Sequence, residues 1–447
     1  MEKFDLNFLA SIFPNHTDYE NKEIYTIFRD SREKVQQGLF IPIVGERFDS
    51  HEFISQAIEN GAVAILSSRT ELTQIPEGFP VFYVDDTIEA LQTLANHYRH
   101  LVNPIVVGIT GSNGKTTTKE IVASCLAAKY NVWKTIGNLN NHIGLPLTVL
   151  SMDRNCDVLV AEMGMSGFGE IELLSKIVEP DFGIITNIGE SHIEHLGSRE
   201  GIAKAKSEIT CGFKENSVFI YDGDEPLLKT IEPRPFKEIT CGFSKDLDYV
   251  IDDINQHNDQ TSFSINSEAL TIPLLGKHQA KNASFAYALC KELKIDVSSI
   301  KQQLNQLELP SMRFEKMDAL NGSTIINDAY NASATSMIAS IDVLKNMNYN
   351  KKIVVLGDIL ELGDFSKEDH KRVGQSIDSS IDEVLTYGEE SKYILDGLTD
   401  NFAGKSKHFI NQEELIDDLK QELDENTIVL FKASRGIKLE EVVNQLV

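Results

Sequence analysis

The sequence predicts an α/β protein of three consecutive domains, and three observations support that prediction. The chain has 447 residues, which is more than one hydrophobic core usually supports. Short runs rich in β-branched residues alternate with helical patterns along most of the chain, which is typical of a mainly parallel sheet covered by helices. A proline in "LELPSMRFEK" separates the last such series from the one before it. We therefore predict domains at 1–100, 101–310 and 311–447.

The first domain is predicted to be a small α/β unit. Its strands are "GLFIPIVG", "AVAILSS" and "PVFYVDD", and its clearest helix is "HEFISQAIENGA", which ends at a glycine. We predict a linker around "YRHLVNPIVV", with Pro104 at the boundary to the second domain.

The second domain is predicted to hold a doubly wound, mainly parallel sheet. Its apolar strands are "IVVGIT", "DVLVAEM", "FGIITNI" and "SVFIYD", and its helices include "TKEIVASCLAAKY" and "GIAKAKSEITCGF". The third domain repeats this alternation with "STIINDAY", "KKIVVLGD", "EVLTYG" and "TIVLFKAS". We therefore predict a Rossmann-like α/β domain at the C-terminal end.

Composition limits the partners and the location of the protein. The formal net charge is -26, without a long basic block, which argues against nucleic acid or an anionic membrane surface as the main partner. The five cysteines are dispersed, as is usual in a reducing compartment. No stretch has the length of a membrane span, and the N-terminus lacks the features of a signal peptide. We expect a cytoplasmic monomer that does not insert into a membrane.

The stretch "GITGSNGKTTTKE" follows a predicted strand and precedes a predicted helix. Gly108 and Gly114 are separated by five residues, so the common P-loop pattern fails by one position. Its physical ingredients remain, because Gly111 and Gly114 let the backbone approach a phosphate and the helix N-terminus attracts it. We predict a P-loop ATPase-like domain in which Lys115 reaches the phosphates and Thr116 holds Mg²⁺. An incidental glycine-rich turn is the alternative.

The phosphate loop resembles that of the Mur ligase family, the ATP-dependent amide ligases of peptidoglycan precursor synthesis. Other segments resemble the family in order along nearly the whole chain: "GNLNNHIGLPLTVL", "AEMGMSGFGEI", "TNIGESHIEHLGSREGIAKAKSEI", "GKHQAKNASFAYAL" and "SMRFE". Within the family, "DSREKVQQGLFIPIVGERFDSHEFI" and "NDAYNASATSM" look like the member that adds D-alanyl-D-alanine to UDP-N-acetylmuramoyl-tripeptide. One departure is visible, because that member's usual "DAYNANP" stands here as "DAYNASA".

The resemblance implies a ligase reaction. ATP would convert a tripeptide carboxylate to an acyl phosphate, and the amine of D-alanyl-D-alanine would attack it, releasing phosphate. Such an enzyme serves peptidoglycan synthesis, and with it cell shape, the cell cycle and cell division. The alternatives are a Mur-type ligase that adds diaminopimelate or lysine, a folylpolyglutamate synthetase, a regulatory P-loop NTPase and an inactive scaffold. The sequence leaves open whether the third peptide residue is diaminopimelate or lysine.

The resemblance assigns ATP binding to residues of the second and third domains. They are Gly111, Ser112, Asn113, Gly114, Lys115, Thr116, Thr117, Asn282, Arg313 and Asp328. Asn282 is assigned to the adenine and Asp328 to the ribose. Glu162 ends a predicted strand, and with Thr116 it is a predicted Mg²⁺ ligand. His192 follows a predicted strand, and by resemblance it is predicted to hold a second Mg²⁺.

Four residues are predicted to be catalytic, namely Lys115, His192, Lys206 and Arg313. By resemblance, Lys206 is a lysine carbamate whose negative charge suits a site beside Mg²⁺. Lys204 is the rival position, and a solvent-facing helix lysine is the plain alternative. Arg313 opens the third domain, so we expect it to reach ATP only if the second and third domains close together.

The remaining predicted residues bind the two other substrates. Ser31, Arg32 and Gly45 match the family's uridine-diphosphate site. The segment around "GNLNNHIG" is predicted to hold the muramoyl tripeptide through Asn138, Asn140, Asn141 and His142. The predicted contacts of D-alanyl-D-alanine are Tyr330, Asn331, Ser434 and Arg435.

Overall fold

The computed structural model describes residues 3–45, 48–72, 75–229, 236–257, 259–308 and 311–447. The predicted boundary after residue 310, with the end of "LELP", therefore lies partly outside the described residues. The strands are β1 (Phe4–Asp5), β2 (Glu23–Ile24), β3 (Thr26–Phe28), β4 (Gly38–Phe40), β5 (Ala62–Ser67), β6 (Val81–Tyr83), β7 (Ile105–Thr110), β8 (Val132–Lys134), β9 (Val158–Glu162), β10 (Phe182–Ile185), β11 (Val218–Asp222), β12 (Lys237–Gly242), β13 (Tyr249–His257), β14 (Gln260–Ile265), β15 (Glu268–Ile272), β16 (Glu315–Asp318), β17 (Thr324–Asn327), β18 (Lys351–Gly357), β19 (Glu383–Tyr387), β20 (Lys405–Phe409) and β21 (Thr427–Lys432).

Helices cover the sheets. They are α1 (Leu6–Ile12), α2 (Ile54–Glu59), α3 (Thr87–Val102), α4 (Lys115–Ala127), α5 (Gly144–Ser151), α6 (Glu170–Val178), α7 (Ile193–Leu196), α8 (Arg199–Ser207), α9 (Pro226–Lys229), α10 (Lys277–Glu292), α11 (Val297–Asn305), α12 (Ala334–Lys345), α13 (Ser366–Gln375), α14 (Lys392–Asp396), α15 (Gln412–Glu422) and α16 (Glu440–Val443). Within the described ranges, none of these helices combines the length and the apolar character that spanning a bilayer requires.

Each predicted domain contains its own main sheet. The N-terminal sheet has the order β3-β4-β5-β6 and is entirely parallel. The C-terminal sheet has the order β16-β17-β21-β18-β19-β20, and only its edge strand β16 runs antiparallel. These sheets, together with the central one, confirm the predicted three-part α/β fold class.

The central sheet creates the crevice in which the candidate site lies. Its order is β15-β14-β13-β12-β11-β10-β7-β9-β8, and it is parallel from β8 to β13. Strand β7 lies between β9 and β10, so the chain direction across the sheet reverses there. Ligands of doubly wound sheets bind at such a switch point, outside the carboxyl ends of the strands. The mainly parallel prediction is confirmed, whereas the antiparallel extension β13-β14-β15 was not predicted.

Helix α3 replaces the predicted linker around "YRHLVNPIVV". It continues to Val102 and ends at Asn103, whose φ is 53°. The hydroxyl of Tyr98 donates to the carbonyl of Met152 at 2.7 Å, and Nε of Arg99 donates to the carbonyl of Val178 at 2.9 Å. These buried contacts hold the segment in a helix against the central domain, so the linker prediction is wrong.

The N-cap of α3 provides a test of this arrangement. Oδ1 of Asp86 accepts from the amides of Ile88 at 2.6 Å and Glu89 at 2.9 Å. We expect Asp86→Ala to lower the free energy of unfolding by about 1 kcal/mol, because two helix amides lose their acceptor. Urea denaturation and hydrogen exchange of the first turn of α3 measure the effect. Asp85→Ala, at the exposed neighbouring aspartate, is the control, and equal losses in both variants would contradict the prediction.

Candidate active site

A cavity of about 480 Å³ lies between the central and C-terminal domains, at the carboxyl ends of β7 and β9. It brings together most of the residues predicted from the sequence. Those lining it are Ser112, Asn113, Gly114, Lys115, Thr116, Thr117, Asn138, Asn140, Asn141, Glu162, His192, Asn282, Arg313, Asp328, Tyr330 and Asn331. The predicted nucleotide, metal and acceptor residues therefore share one cleft.

Two glycines give the phosphate loop its shape. Gly111 has a φ of +150°, and a Cβ there would lie 1.9 Å from Oγ1 of Thr186. Gly114 has a φ of +79°, and its Cβ would lie 2.8 Å from Oδ1 of Asn282. Only a residue without a side chain fits such close approaches at positive φ. Gly111 therefore shapes the loop by its close approach to Thr186, and it does not line the cavity.

The end of β10 holds the phosphate loop in place. Oγ1 of Thr186 donates to the carbonyl of Asn113 at 2.6 Å. Asn187 accepts from the amide of Asn113 at 3.0 Å and donates to its carbonyl at 3.0 Å. The sequence analysis did not single out Thr186 or Asn187. The sequence feature that could have identified them is their position directly after an apolar strand that neighbours the P-loop strand.

Lys115 occupies the start of α4 at the cavity. Its Nζ donates to the carbonyl of Gly111 at 2.8 Å. Burial lowers the pKa of Lys115, the carboxylate of Glu162 opposes that shift, and the charge of Arg313 adds to it. An anion entering the cavity would favour the protonated form of Lys115. The lysine is thus placed to gain a charged partner when a phosphate binds.

Glu162 carries an unpaired oxygen at the end of β9. Its side chain is 3% exposed, and Oε1 accepts from the Asn140 amide at 2.9 Å. Oε2 has no hydrogen-bond partner among the described residues and lies 3.6 Å from Nζ of Lys119. A buried carboxylate oxygen with spare acceptor capacity fits a hard cation such as Mg²⁺.

The other two predicted metal ligands have partners from the C-terminal domain. His192 contacts the carboxylate of Glu361 through Nδ1, which leaves Nε2 as the ring nitrogen available to a metal. Oγ1 of Thr116 accepts from Arg313 at 3.1 Å. No cluster of three or more His, Cys, Asp or Glu side chains suited to a metal occurs in the described part of the chain. A Mg²⁺ ion here would depend on phosphate oxygens and water for its remaining ligands.

Arg313 already reaches the phosphate loop through Thr116. Its guanidinium carbon lies 4.0 Å from the ring centroid of Tyr330, and that of Arg435 lies 5.8 Å from the same ring. Both arginines are therefore held near the cavity by one aromatic side chain. The side chain of Arg313 therefore contacts the central domain in this structure, as reaching ATP would require.

The far side of the cavity combines α10 with the ends of β17 and β21. Asn282 donates to Oε1 of Gln279 at 3.0 Å. Asp328 pairs with Nζ of Lys432 at 2.6 Å and accepts from the hydroxyl of Ser340 at 2.7 Å. Burial lowers the pKa of His278 to about 4, with Asp328 opposing the shift. The sequence analysis missed Lys432, a buried lysine at the end of β21 that lines the cavity.

The asparagine-rich segment divides between the cavity and the surface. Asn138 and Asn140 line the cavity. Oδ1 of Asn141 accepts from the amide of Gly144 at 2.8 Å at the start of α5, so this residue has a structural role as well. His142 is exposed, does not line the cavity, and its carbonyl accepts from Gln92 at 3.0 Å.

Lys206 and Lys204 differ sharply in environment. Lys206 is 2% exposed, and its side chain makes no hydrogen bond or ion pair with the residues described in the structure. Burial, followed by the charge of Lys115, holds the pKa of Lys206 well below its ordinary value. Lys204 is exposed and lies over the ring of Phe168. Burial favours the position chosen from the sequence over its rival.

Several predicted residues lie outside the cavity. Ser31 donates to Oε1 of Gln56 at 2.7 Å, and Arg32 pairs with Asp30 at 2.6 Å on the surface of the N-terminal domain. The amide of Gly45 donates to the carbonyl of Phe48, while residues 46–47 of "ERFDSHEF" lie outside the described residues.

Ser434 is buried away from the cavity, where its hydroxyl accepts from the amide of Leu360 at 2.9 Å. The structure therefore separates Ser434 from its predicted neighbour Arg435, which approaches Tyr330.

Gly111 offers a sharp test of the phosphate loop. We expect Gly111→Ala to weaken ADP binding by about tenfold or more, because the new Cβ displaces Thr186 and with it the loop. Isothermal titration calorimetry with ADP and Mg²⁺ measures the change. Gly167→Ala is the matched control, because a Cβ there would meet only Oε1 of Glu170, at 3.5 Å. Equal affinities in the two variants would contradict the prediction.

Comparison with known proteins places the chain in a family. The Mur ligase middle domain matches residues 109–290, and the Mur ligase, glutamate ligase domain matches residues 312–435. The UDP-N-acetylmuramoyl-tripeptide--D-alanyl-D-alanine ligase of Bacillus subtilis is 46% identical over 434 residues, covering 96% of this chain and 94% of the relative.

MurF from Acinetobacter baumannii has a similar structure, with a TM-score of 0.89, 29% identity, and coverage of 99% of this chain and 98% of the other. The MurF ligase of Thermotoga maritima in complex with ADP matches with a TM-score of 0.82 and 32% identity, covering 94% of this chain and 96% of the other. The chain belongs to the Mur ligase family.

Proposed function

We propose that the protein is an ATP-dependent ligase that joins D-alanyl-D-alanine to UDP-N-acetylmuramoyl-tripeptide in peptidoglycan precursor synthesis. The products are the amide, ADP and phosphate, and the reaction takes place in the cytoplasm. The relative from Bacillus subtilis bears the name of this activity and is similar along nearly the whole chain. The ADP complex of the Thermotoga maritima enzyme supports ATP as the nucleotide.

One observation carries the proposal most directly. The cavity joins a phosphate loop, the spare carboxylate oxygen of Glu162 and Arg313 from the neighbouring domain in one enclosed space. Transfer of a phosphoryl group to a carboxylate brings two anions together, so the site must supply positive charge where they meet. Lys115 and Arg313 supply it from opposite domains.

The loop and the two cations have distinct tasks in this reaction. Backbone amides of residues 111–116 and the N-terminus of α4 cradle the phosphates. Lys115 exchanges its bond to the carbonyl of Gly111 for the γ-phosphate and so balances the charge that develops there. Arg313, a planar donor with several N–H groups, holds phosphate oxygens from the C-terminal side.

Mg²⁺ is the cofactor that best fits the residues at the cavity. Glu162, Thr116 and His192 would hold it, together with phosphate oxygens and water. When bound, Mg²⁺ neutralises phosphate charge and thereby lowers the repulsion between the nucleotide and the tripeptide carboxylate. In this site Asn140 orients Glu162, and Glu361 orients His192.

The acceptor substrate is assigned to the wall formed by the C-terminal domain. Tyr330 and Asn331 line the cavity there, and Arg435 lies over the Tyr330 ring. Arg435 presents a cation suited to the carboxylate of D-alanyl-D-alanine. Asn138 and Asn140, on the opposite wall, present neutral amides to the tripeptide. The two peptides would thus approach the phosphate loop from different domains.

Lys206 is proposed as the site of a carbamate. Because burial keeps the pKa of Lys206 well below its ordinary value, the neutral amine is more accessible than that of an exposed lysine. The nitrogen lone pair can then attack CO₂, so that an N–C bond forms, a proton leaves and an anionic carbamate remains. That anion would lie near the charge of Lys115 and would replace an unfavourable pair of cations.

The ligase proposal predicts that ATP turnover depends on both peptide substrates. We expect phosphate release to require the muramoyl tripeptide and D-alanyl-D-alanine, with equal amounts of phosphate and amide formed. Lys115→Met should lower the rate by about 10²-fold or more, because the γ-phosphate loses its cation. Lys129→Met, at an exposed position two residues after the end of the same helix, should retain the wild-type rate. Phosphate release at full rate without an acceptor amine would indicate a regulatory NTPase instead.

The carbamate proposal predicts chemical rescue. We expect Lys206→Ala to lose most of its activity, by about 10²-fold, and to recover part of it with a short-chain carboxylate such as acetate or formate, which replaces the missing anion. Lys204→Ala, at the exposed rival position, should remain active without added carboxylate. Steady-state rates with and without the carboxylate measure the effect. Failure of every small carboxylate to restore Lys206→Ala would count against the carbamate.

A further inference from the structure

The segment that follows β10 contacts two parts of the molecule at once. We call residues 186–190 the bridging loop. Its first two residues, Thr186 and Asn187, hold the backbone of Asn113 in the phosphate loop. Its last residue, Glu190, contacts the C-terminal domain. Five residues thus connect the ATP-binding loop of one domain to the surface of another.

Glu190 depends on the C-terminal domain for its partners. Its side chain is 6% exposed, and its two carboxylate oxygens accept from the hydroxyl of Thr335 at 2.9 and 3.1 Å. Nη2 of Arg372 lies 2.9 Å from Oε1 of Glu190 and 3.2 Å from Oδ1 of Asp369. A carboxylate buried without donors is costly. The buried position of Glu190 is therefore stable only while α12 supplies the hydroxyl of Thr335 and α13 supplies the opposite charge of Arg372.

A second contact connects the phosphate loop to α12 directly. The hydroxyl of Ser333, the N-cap residue of α12, donates to Oδ1 of Asn113 at 3.0 Å. The backbone of Asn113 is held by the bridging loop, and its side chain is held by the C-terminal domain. Asn113 therefore joins the phosphate loop to both the bridging loop and α12.

We propose that Glu190 is a positioning residue that couples the bridging loop to the C-terminal domain and so keeps that domain closed over the cavity, with Thr335 and Arg372 as its closing partners. This inference rests on the proposed ligase function. Glu190 does not line the ATP cavity, so it acts on the reaction through the position of the domain rather than through contact with substrate.

Closure matters because the acyl phosphate is sensitive to water. If water attacks its acyl carbon, the bond from that carbon to the phosphate oxygen breaks. The tripeptide carboxylate is regenerated, a proton is released and inorganic phosphate leaves. ATP is then consumed without amide formation. A loosened domain contact should therefore raise the ratio of phosphate to amide product.

The test compares four single variants and one double variant with the wild-type enzyme. Glu190→Gln keeps an acceptor for Thr335 but removes the charge that faces Arg372, and Arg372→Gln removes the opposite charge. Glu368→Gln neutralises an exposed carboxylate one turn before Arg372 on the same helix and is the matched control. Phosphate and amide are measured in the same reaction, and ADP affinity is measured by calorimetry.

We expect a ratio of phosphate to amide of about one in the wild type and in Glu368→Gln. In Glu190→Gln and Arg372→Gln we expect that ratio to be about two or more. ADP affinity should stay within about twofold in all of them, because the phosphate loop keeps its own contacts. The double variant should have the same ratio as either single variant, since both changes break one interaction. Arg372→Lys, which restores a cation, should bring the ratio back toward one.

Two results would overturn the coupling role. The first is a phosphate-to-amide ratio of one in both Glu190→Gln and Arg372→Gln. The second is a loss of ADP affinity in Glu190→Gln that is as large as its loss of amide-forming turnover. If Glu190→Gln does not fold, Arg372→Gln supports or overturns the proposal by the same measurements, because its side chain is partly exposed. Failure of the ligase function itself is separate, since the wild type would then form no amide.

Discussion

At Gly111, a backbone with φ of +150° lies against the hydroxyl of Thr186, and a Cβ would approach that oxygen to 1.9 Å. This contact fixes the phosphate loop to the end of β10, and Asn187 strengthens it through two bonds to Asn113. The positions of Lys115 and Thr116 at the start of α4 follow from the same loop. The site is therefore built on the spacing between neighbouring parallel strands, which a sheet holds nearly constant.

The electrostatics of the cleft differ from those of the whole chain. A protein of formal net charge -26 repels polyphosphates at long range, so a local group of cations must offset that repulsion. Lys115, Arg313 and Lys432 line the cavity, and they come from both sides of the domain boundary. Burial lowers the pKa of Lys115 before an anion arrives. A bound anion would favour the charged form of Lys115.

The sequence predicts the strands and loops that have strong local patterns. The apolar runs that form β7, β9 and β10 are continuous. The glycines of the phosphate loop lie between a predicted strand and a predicted helix, which indicates phosphate binding. Strand β13 was missed because many of its side chains are exposed and polar, so its sequence lacks an apolar run. Glu190, Thr335 and Lys432 were missed for another reason. Their roles depend on which domain faces which, and no local pattern encodes that contact.

Two ligand regions differ in how far they are formed before binding. The phosphate loop has its final shape, since buried contacts from β10 determine it. In the N-terminal domain, Arg32 is paired with Asp30 on an exposed surface, and Ser31 is bonded to Gln56. An exposed ion pair contributes little to stability, so a diphosphate could replace Asp30 at little cost. Recognition of the uridine diphosphate would then proceed by exchange of partners, whereas recognition of ATP uses a preformed loop. A rigid phosphate site beside an adaptable substrate site suits an enzyme that must bring two anions together.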